Sequence, residues 1–200
     1  MLQFISKAGF RTASLAITLL LAACVITTEK AYFDASDFRQ LKVLAGDWVS
    51  VPSEPGDDIL KVRMSANGKL WRAQPLTPAG EIDATEKPVD FGLVELGPGE
   101  YIVVQSDAKL GEGPVNYLGL KTEADKLNFY LFGGGQSSGG KAKFDALVAS
   151  FGMSHDTSFS YEARLTGDIT ERKLKRLFRA LLADPTAYDG HPAVYTRVSP

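Results

Sequence analysis

Two stretches of the chain hold residue types that could do chemistry. Gly135-Gln136-Ser137-Ser138-Gly139-Gly140-Lys141 meets the G-x-x-x-x-G-K spacing of phosphate-binding loops and stands between a strand pattern and a helix pattern. Glycine amides and a helix N-terminus attract phosphate. The next residue, however, is Ala142, where such a loop needs Ser or Thr to hold magnesium, and the flanking pattern is antiparallel β rather than βαβ. The stretch reads as a flexible loop, and no nucleotide is expected on it. His155-Asp156, with Ser154, Ser158 and Ser160, contains the residue types of a nucleophile–base–acid triad. A triad needs them to converge from separate segments on an oxyanion hole, which neighbours in one loop cannot do. His155 reads as a surface loop residue, no catalytic residue is assigned, and the chain is expected not to be an enzyme.

Composition narrows the classes further. The 200 residues carry 22 Lys+Arg against 24 Asp+Glu, so no basic excess points to nucleic acid. One cysteine permits no internal disulfide, and two distant histidines, His155 and His191, argue against a zinc cluster; no cofactor or metal is expected. The basic residues bunch on one late helical pattern, at Arg172, Lys173, Lys175, Arg176 and Arg179. Such a face can lie on an anionic membrane, or it can be a solvated face whose apolar stripe covers a sheet.

The single cysteine has a place in the first segment. Lys7 and Arg11 precede an uncharged apolar run from Ala13 to Ala23, too short to span a bilayer and of signal-peptide length. It ends in Leu21-Ala22-Ala23-Cys24, which resembles the lipobox of bacterial lipoproteins. The resemblance implies cleavage before Cys24, acylation of its thiol with palmitate-type chains, and a membrane partner through that anchor. Val25, rather than Asp, follows the cysteine, which in that family points to the outer membrane, facing the periplasm. Residues 1–23 are then a leader, 24–33 a tether and 34–200 one domain. Removing Lys7 and Arg11 with the leader leaves 177 residues with 20 basic and 24 acidic side chains, a formal charge of −4.

The elements are mostly strands. Phe38, Leu41 and Leu44 recur at helical spacing behind Asp34-Ala35-Ser36-Asp37 and predict a short helix that stops at Gly46. Strands are predicted at 47–51, 59–64, 70–73, 89–96, 101–106, 115–122, 127–132, 158–165 and 193–198, with Asn67-Gly68 as a tight hairpin. Helices are predicted around Phe144–Phe151, and after Asp168-Ile169-Thr170-Glu171 with Leu174, Leu177, Phe178, Leu181 and Leu182 on one face. The fold class is mainly β, an antiparallel meander with two or three packed amphipathic helices, as a barrel or a sandwich.

Gly46-Asp47-Trp48 resembles the G-x-W that opens the first strand of lipocalins and related calycin barrels. The resemblance implies that Gly46 and Trp48 close one end of the barrel and that an arginine from a late strand packs over the indole; Arg164 fits best, with Arg197 as alternative. The second lipocalin motif, a Thr-Asp-Tyr, is absent, and a helix at 141–152 is an addition. A calycin barrel of about eight strands has room for packed side chains or one small ligand. Alternation points Trp71, Phe91, Tyr101, Leu118, Phe129 and Tyr161 inward, with Leu93, Val103, Leu120, Leu131 and Phe159 beside them. Two functions stay open: a membrane-anchored binding module for a small apolar or lipid-like ligand, or an envelope structural and protein-interaction lipoprotein with a filled core.

Overall fold

The computed structural model describes residues 25–52, 59–106, 113–132, 138–156, 162–184 and 192–198; Cys24, Phe159, Tyr161 and His191 lie outside them. The elements run β1 (Val25–Thr28), a 3-10 turn (Lys42–Leu44), β2 (Gly46–Val51), β3 (Lys61–Asn67), β4 (Leu70–Leu76), β5 (Val89–Gly97) and β6 (Glu100–Gln105). They continue through β7 (Val115–Thr122), β8 (Lys126–Tyr130), α1 (Ser138–Ser150), β9 (Met153–Asp156), β10 (Glu162–Gly167), α2 (Glu171–Ala183) and β11 (Ala193–Arg197).

β2 to β8 form an antiparallel meander, and β11 fits between β8 and β2, so that eight strands close into a barrel. This is the lipocalin-like architecture expected. A closed barrel leaves no edge to pair with another chain. On the described residues the predicted strands formed because each segment alternates or is flanked by turn chemistry; residues 158–161 of the predicted 158–165 strand lie outside the described residues and the rest falls in β10, and the β3–β4 hairpin turns on Gly68 at φ 63°.

β5, β6 and β7 are buried on both faces. Phe91, Leu93, Tyr101, Val103, Leu118 and Leu120 point into the barrel. The alternate residues Val94, Leu96, Ile102, Val104, Val115 and Tyr117 point outward into a second apolar core. Two-faced burial is why these strands read as near-continuous apolar runs. The outer core is covered by α1, α2 and a side sheet of β1, β10 and β9 that branches from β7. On α2, Leu174, Leu177, Phe178, Leu181 and Leu182 are all buried, each contributing about 1.5–3 kcal/mol. Its N-cap is Thr170, whose hydroxyl accepts from the Lys173 amide at 3.3 Å.

The side sheet corrects two expectations. Residues 25–33 are not a tether. Val25-Ile26-Thr27-Thr28 contains only β-branched side chains, which favour strands, and β1 pairs antiparallel with β7 and parallel with β10. Ile26 is fully buried, and Phe33 meets the Tyr117 ring edge-on at 6.1 Å. Nor do residues 34–46 form a helix. The Asp34 carboxylate accepts from the amide and hydroxyl of Ser36, both at 2.6 Å, and closes a turn instead. Phe38 then bridges Val94 and lays its ring on Gly92, where a Cβ would stand 2.4 Å from the ring. Only Lys42–Leu44 coils.

That coil plugs one end of the barrel. Leu44 and Trp48 are fully buried, and the Trp48 indole Nε1 donates to the Leu44 carbonyl at 2.9 Å. The guanidinium over the indole belongs to Arg197, 4.5 Å from the ring centroid, and not to Arg164. Arg164 lies on β10, opposite Thr27 and Asp156, whereas Arg197 is paired with Trp48 across the β11–β2 seam. Arg197 Nη1 also donates to the Ala45 carbonyl at 2.9 Å, and Nη2 donates to the Val43 carbonyl. Gly46 makes this possible: its φ of 137° suits glycine, and a Cβ there would stand 2.7 Å from Arg197 Nη1. Cation–π contact and two charge-assisted hydrogen bonds act together here. Arg197→Ala is therefore expected to cost about 2–4 kcal/mol in urea unfolding and Trp48→Ala about 3–5 kcal/mol. An Arg197→Ala protein as stable as the unchanged one would contradict this assignment.

Candidate functional site

The strand ends opposite the plug surround an apolar cavity of about 80 Å³. Val62 and Met64 on β3, Ala73 on β4, Val89 and Phe91 on β5, Val103 and Gln105 on β6, Leu118 on β7, Phe129 and Leu131 at the end of β8, and Ala193 and Tyr195 on β11 line it. Val89 and Ala193 begin their strands and Gln105 ends its own, so register puts them at the open mouth. The two small alanines leave the space: large side chains on facing strands would otherwise interdigitate to native density. The cavity equals two to three waters at about 30 Å³ each, and is smaller than the roughly 150 Å³ that holds a benzene.

Of the residues expected to line an interior site, Phe91, Leu118 and Phe129 do so, as do Val103 and Leu131. Trp71 and Tyr101 belong to the same interior cluster but do not line the cavity. Tyr101 stands opposite Leu120, towards the plugged end, and is full-length core there. Tyr161 lies outside the described residues. Sequence reasoning missed Val62, Met64, Ala73, Val89, Gln105, Ala193 and Tyr195. Gln105 was within reach, since it shares the inward phase of Tyr101 and Val103 on β6.

Two polar atoms inside the barrel have no partner among the described residues: Trp71 Nε1 and Gln105 Oε1. Gln105 is 5% exposed and is the one polar amide on a wall of otherwise hydrocarbon and aromatic side chains. Tyr195 meets Phe129 edge-on at 5.8 Å, and burial pushes its phenol up to about 12. Burial also raises Tyr101, followed by the Glu95 charge. No charged residue lines the cavity among the described residues.

The other candidate clusters resolve into structure. His155 is on strand β9, not in a surface loop, with a side chain only 10% exposed. Alternation turns it away from Ser154 and under α1, where its Nε2 lies 2.7 Å from Asp145 Oδ1 and its ring meets Phe144. Lys141 pairs with Asp145 Oδ2 at 2.8 Å. Burial by itself would raise Asp145, but the bonds from Lys141 and His155 outweigh it and hold the carboxyl below its usual range. The lysine of the glycine-rich stretch is thus engaged by its own helix, which starts at Ser138; residues 133–137 and Ser158 and Ser160 lie outside the described residues. The basic face of α2 is largely satisfied: Lys173 pairs with Asp168, Lys175 with Glu171, Arg176 lies over Phe151 and Arg179 Nε donates to the Leu96 carbonyl. Among the described residues no group of three His, Cys, Asp or Glu could hold a metal ion, and no helix is long and apolar enough to cross a membrane.

In comparisons with known proteins, no family model, no curated sequence and no solved structure matches the chain.

Tyr195 gives a pH test of the cavity wall. Its phenol ionises about two pH units higher in the folded protein (about 12) than in the unfolded chain (about 10). The folded form therefore holds the proton longer. The stability this supplies is complete below pH 10 and is lost as pH rises from 10 to 12. Tyr195→Phe should remove a loss of about 2–3 kcal/mol across that window, seen as a flatter urea-unfolding profile against pH. Parallel profiles for the two proteins would mean that the phenol is wet.

Proposed function

We propose that the chain is a lipid-anchored envelope protein whose barrel takes a small apolar or lipid-like group into its open end. The observation that carries this reading is the asymmetry of the barrel interior. One end is sealed by Leu44, Trp48 and Arg197, and the other keeps an apolar cavity at its mouth. At about 80 Å³ the cavity holds the end of a slim ligand rather than a whole drug-sized one, which needs roughly 300 Å³ or more. Val51, Ile59 and Ile82, large apolar side chains around a half or more exposed, stand at the same end: the last residue of β2, the approach to β3, and the β4–β5 connection.

The anchor comes from the Leu21-Ala22-Ala23-Cys24 lipobox. With β1 beginning at Val25, acyl chains on Cys24 would be joined to a buried strand without a spacer. The domain would then sit against the bilayer, not on a flexible stalk. A second reading, an envelope interaction protein with no ligand, draws on the small size of the cavity and the close packing of the remaining interior.

Two experiments decide. Intact mass of the membrane-extracted protein should show a 177-residue chain carrying acyl groups, and Cys24→Ser should abolish both the cleavage and the added mass. An unmodified Cys24 would end the anchor reading. Native mass spectrometry with lipids retained should show a bound small molecule that Ala193→Leu, which fills the cavity, removes at unchanged thermal stability. Repeated absence of any adduct favours the interaction protein.

A further inference from the structure

Gln105 is hard to account for as core alone. It ends β6, is 95% buried and lines the cavity, its Oε1 has no hydrogen-bond partner, and the other described lining residues are apolar apart from the Tyr195 phenol. Buried acceptors in folded proteins are normally paired, and an orphan needs a reason. Water is a poor answer, since a buried water holds its place through two to four polar partners and the wall offers few. We propose that the group taken by the open-end cavity is uncharged and carries a hydrogen-bond donor, a hydroxyl or an amide N–H on an apolar body, and that Gln105 Oε1 accepts from it. This rests on the binding-module reading above and names its ligand class.

The alternatives fail on the chemistry of the wall. A carboxylate would bring a charge that meets no cation among the described lining residues, and an unpaired buried charge is heavily penalised. An ammonium donates, but no lining carboxylate balances its charge, and an unpaired buried charge is heavily penalised. An ether or hydrocarbon fits the space and leaves Oε1 unsatisfied. A neutral alcohol or amide satisfies it without burying charge.

The methionines supply a built-in readout. Met64 lines the cavity, whereas Met153 lies in the outer core beneath the helices. The full chain, carried in lipid vesicles or nanodiscs and labelled on its methionine methyl groups, is titrated with 1-octanol, its isomer 1-methoxyheptane, and octanoate. We expect 1-octanol to shift the Met64 signal at about tenfold lower concentration than the ether, octanoate to leave it unmoved, and Met153 to stay fixed throughout. Gln105→Leu should bind both neutral compounds with the preference gone, at unchanged or higher thermal stability. Because partitioning into lipid is common to both proteins, the octanol-to-ether ratio compared between them is the decisive quantity. An equal ratio in both, or a Met64 shift strongest with octanoate, overturns the donor proposal and leaves the binding module standing. No shift of Met64 with any of the three overturns the binding module itself, and the proposal with it.

Discussion

The contact of Arg197 with Trp48 is the one on which the barrel depends. A meander of strands closes only if its last strand returns beside its first, and here the return comes after a long excursion through α1, β9, β10 and α2. The register is fixed at the seam, where Arg197 stands opposite Trp48. A slip of one residue would turn every side chain of β11 to the wrong face. The guanidinium prevents that by holding three things at once: the indole face, the Ala45 carbonyl and the Val43 carbonyl. Gly46 is part of the same device, because any side chain there would occupy the space of the guanidinium. The G-x-W pattern is therefore two-thirds of a clamp whose third member comes from the far end of the chain.

The excursion has a structural use. It carries two helices and two strands to the outer face of β5, β6 and β7, which would otherwise expose Val94, Ile102, Val104 and Tyr117. The close approach of this cover is set at glycines. Phe38 rests on Gly92, and Phe132 and Leu182 rest on Gly119, where an added Cβ would stand 2.7–2.8 Å from them. The barrel is thus braced on one side by a second core and sealed at one end by the plug. At the other end, among the described residues, the packing leaves the cavity.

Most strands were legible because period-2 alternation and turn residues are local signals. The failures each have a cause. Phe38, Leu41 and Leu44 lie three apart, a spacing that a turn, a bridge and a single 3-10 coil satisfy as well as a helix does. β1 and β9 have four residues each, too short for a period to register, and β1 is recruited by strands far along the chain, as in the Ile26–Tyr117 and Ile26–Ala163 pairs. The tether expectation fell with it. Choosing Arg164 over Arg197 was a question of which strand abuts β2, and that is a property of topology, not of either residue's neighbours. His155 looked like a loop residue for the same reason: its partner, Asp145, lies ten positions away on a helix whose docking was not readable. The interior phase of Phe91, Leu118 and Phe129 was readable, but the void beside them was not, since it depends on where Ala73 and Ala193 fall against larger neighbours.

The wall of that void sets the terms for anything that enters. Hydrocarbon and aromatic side chains supply dispersion and the removal of water, and these act on any apolar group of the right width. They give affinity without discrimination, as one methylene more or less changes little in such a pocket. Discrimination in the proposed module would come from its polar atoms, Gln105 foremost, because in a water-poor cavity an unpaired acceptor weighs more than it would at the surface. The phenol of Tyr195, held protonated by burial to about 12, keeps the wall uncharged across the physiological range. On the proposed reading, a wall with one unpartnered acceptor and no charge among its described residues favours neutral donors over anions and unpaired cations. Selectivity in the proposed binding module then rests on what a ligand can donate, and the apolar wall sets how deeply it can enter.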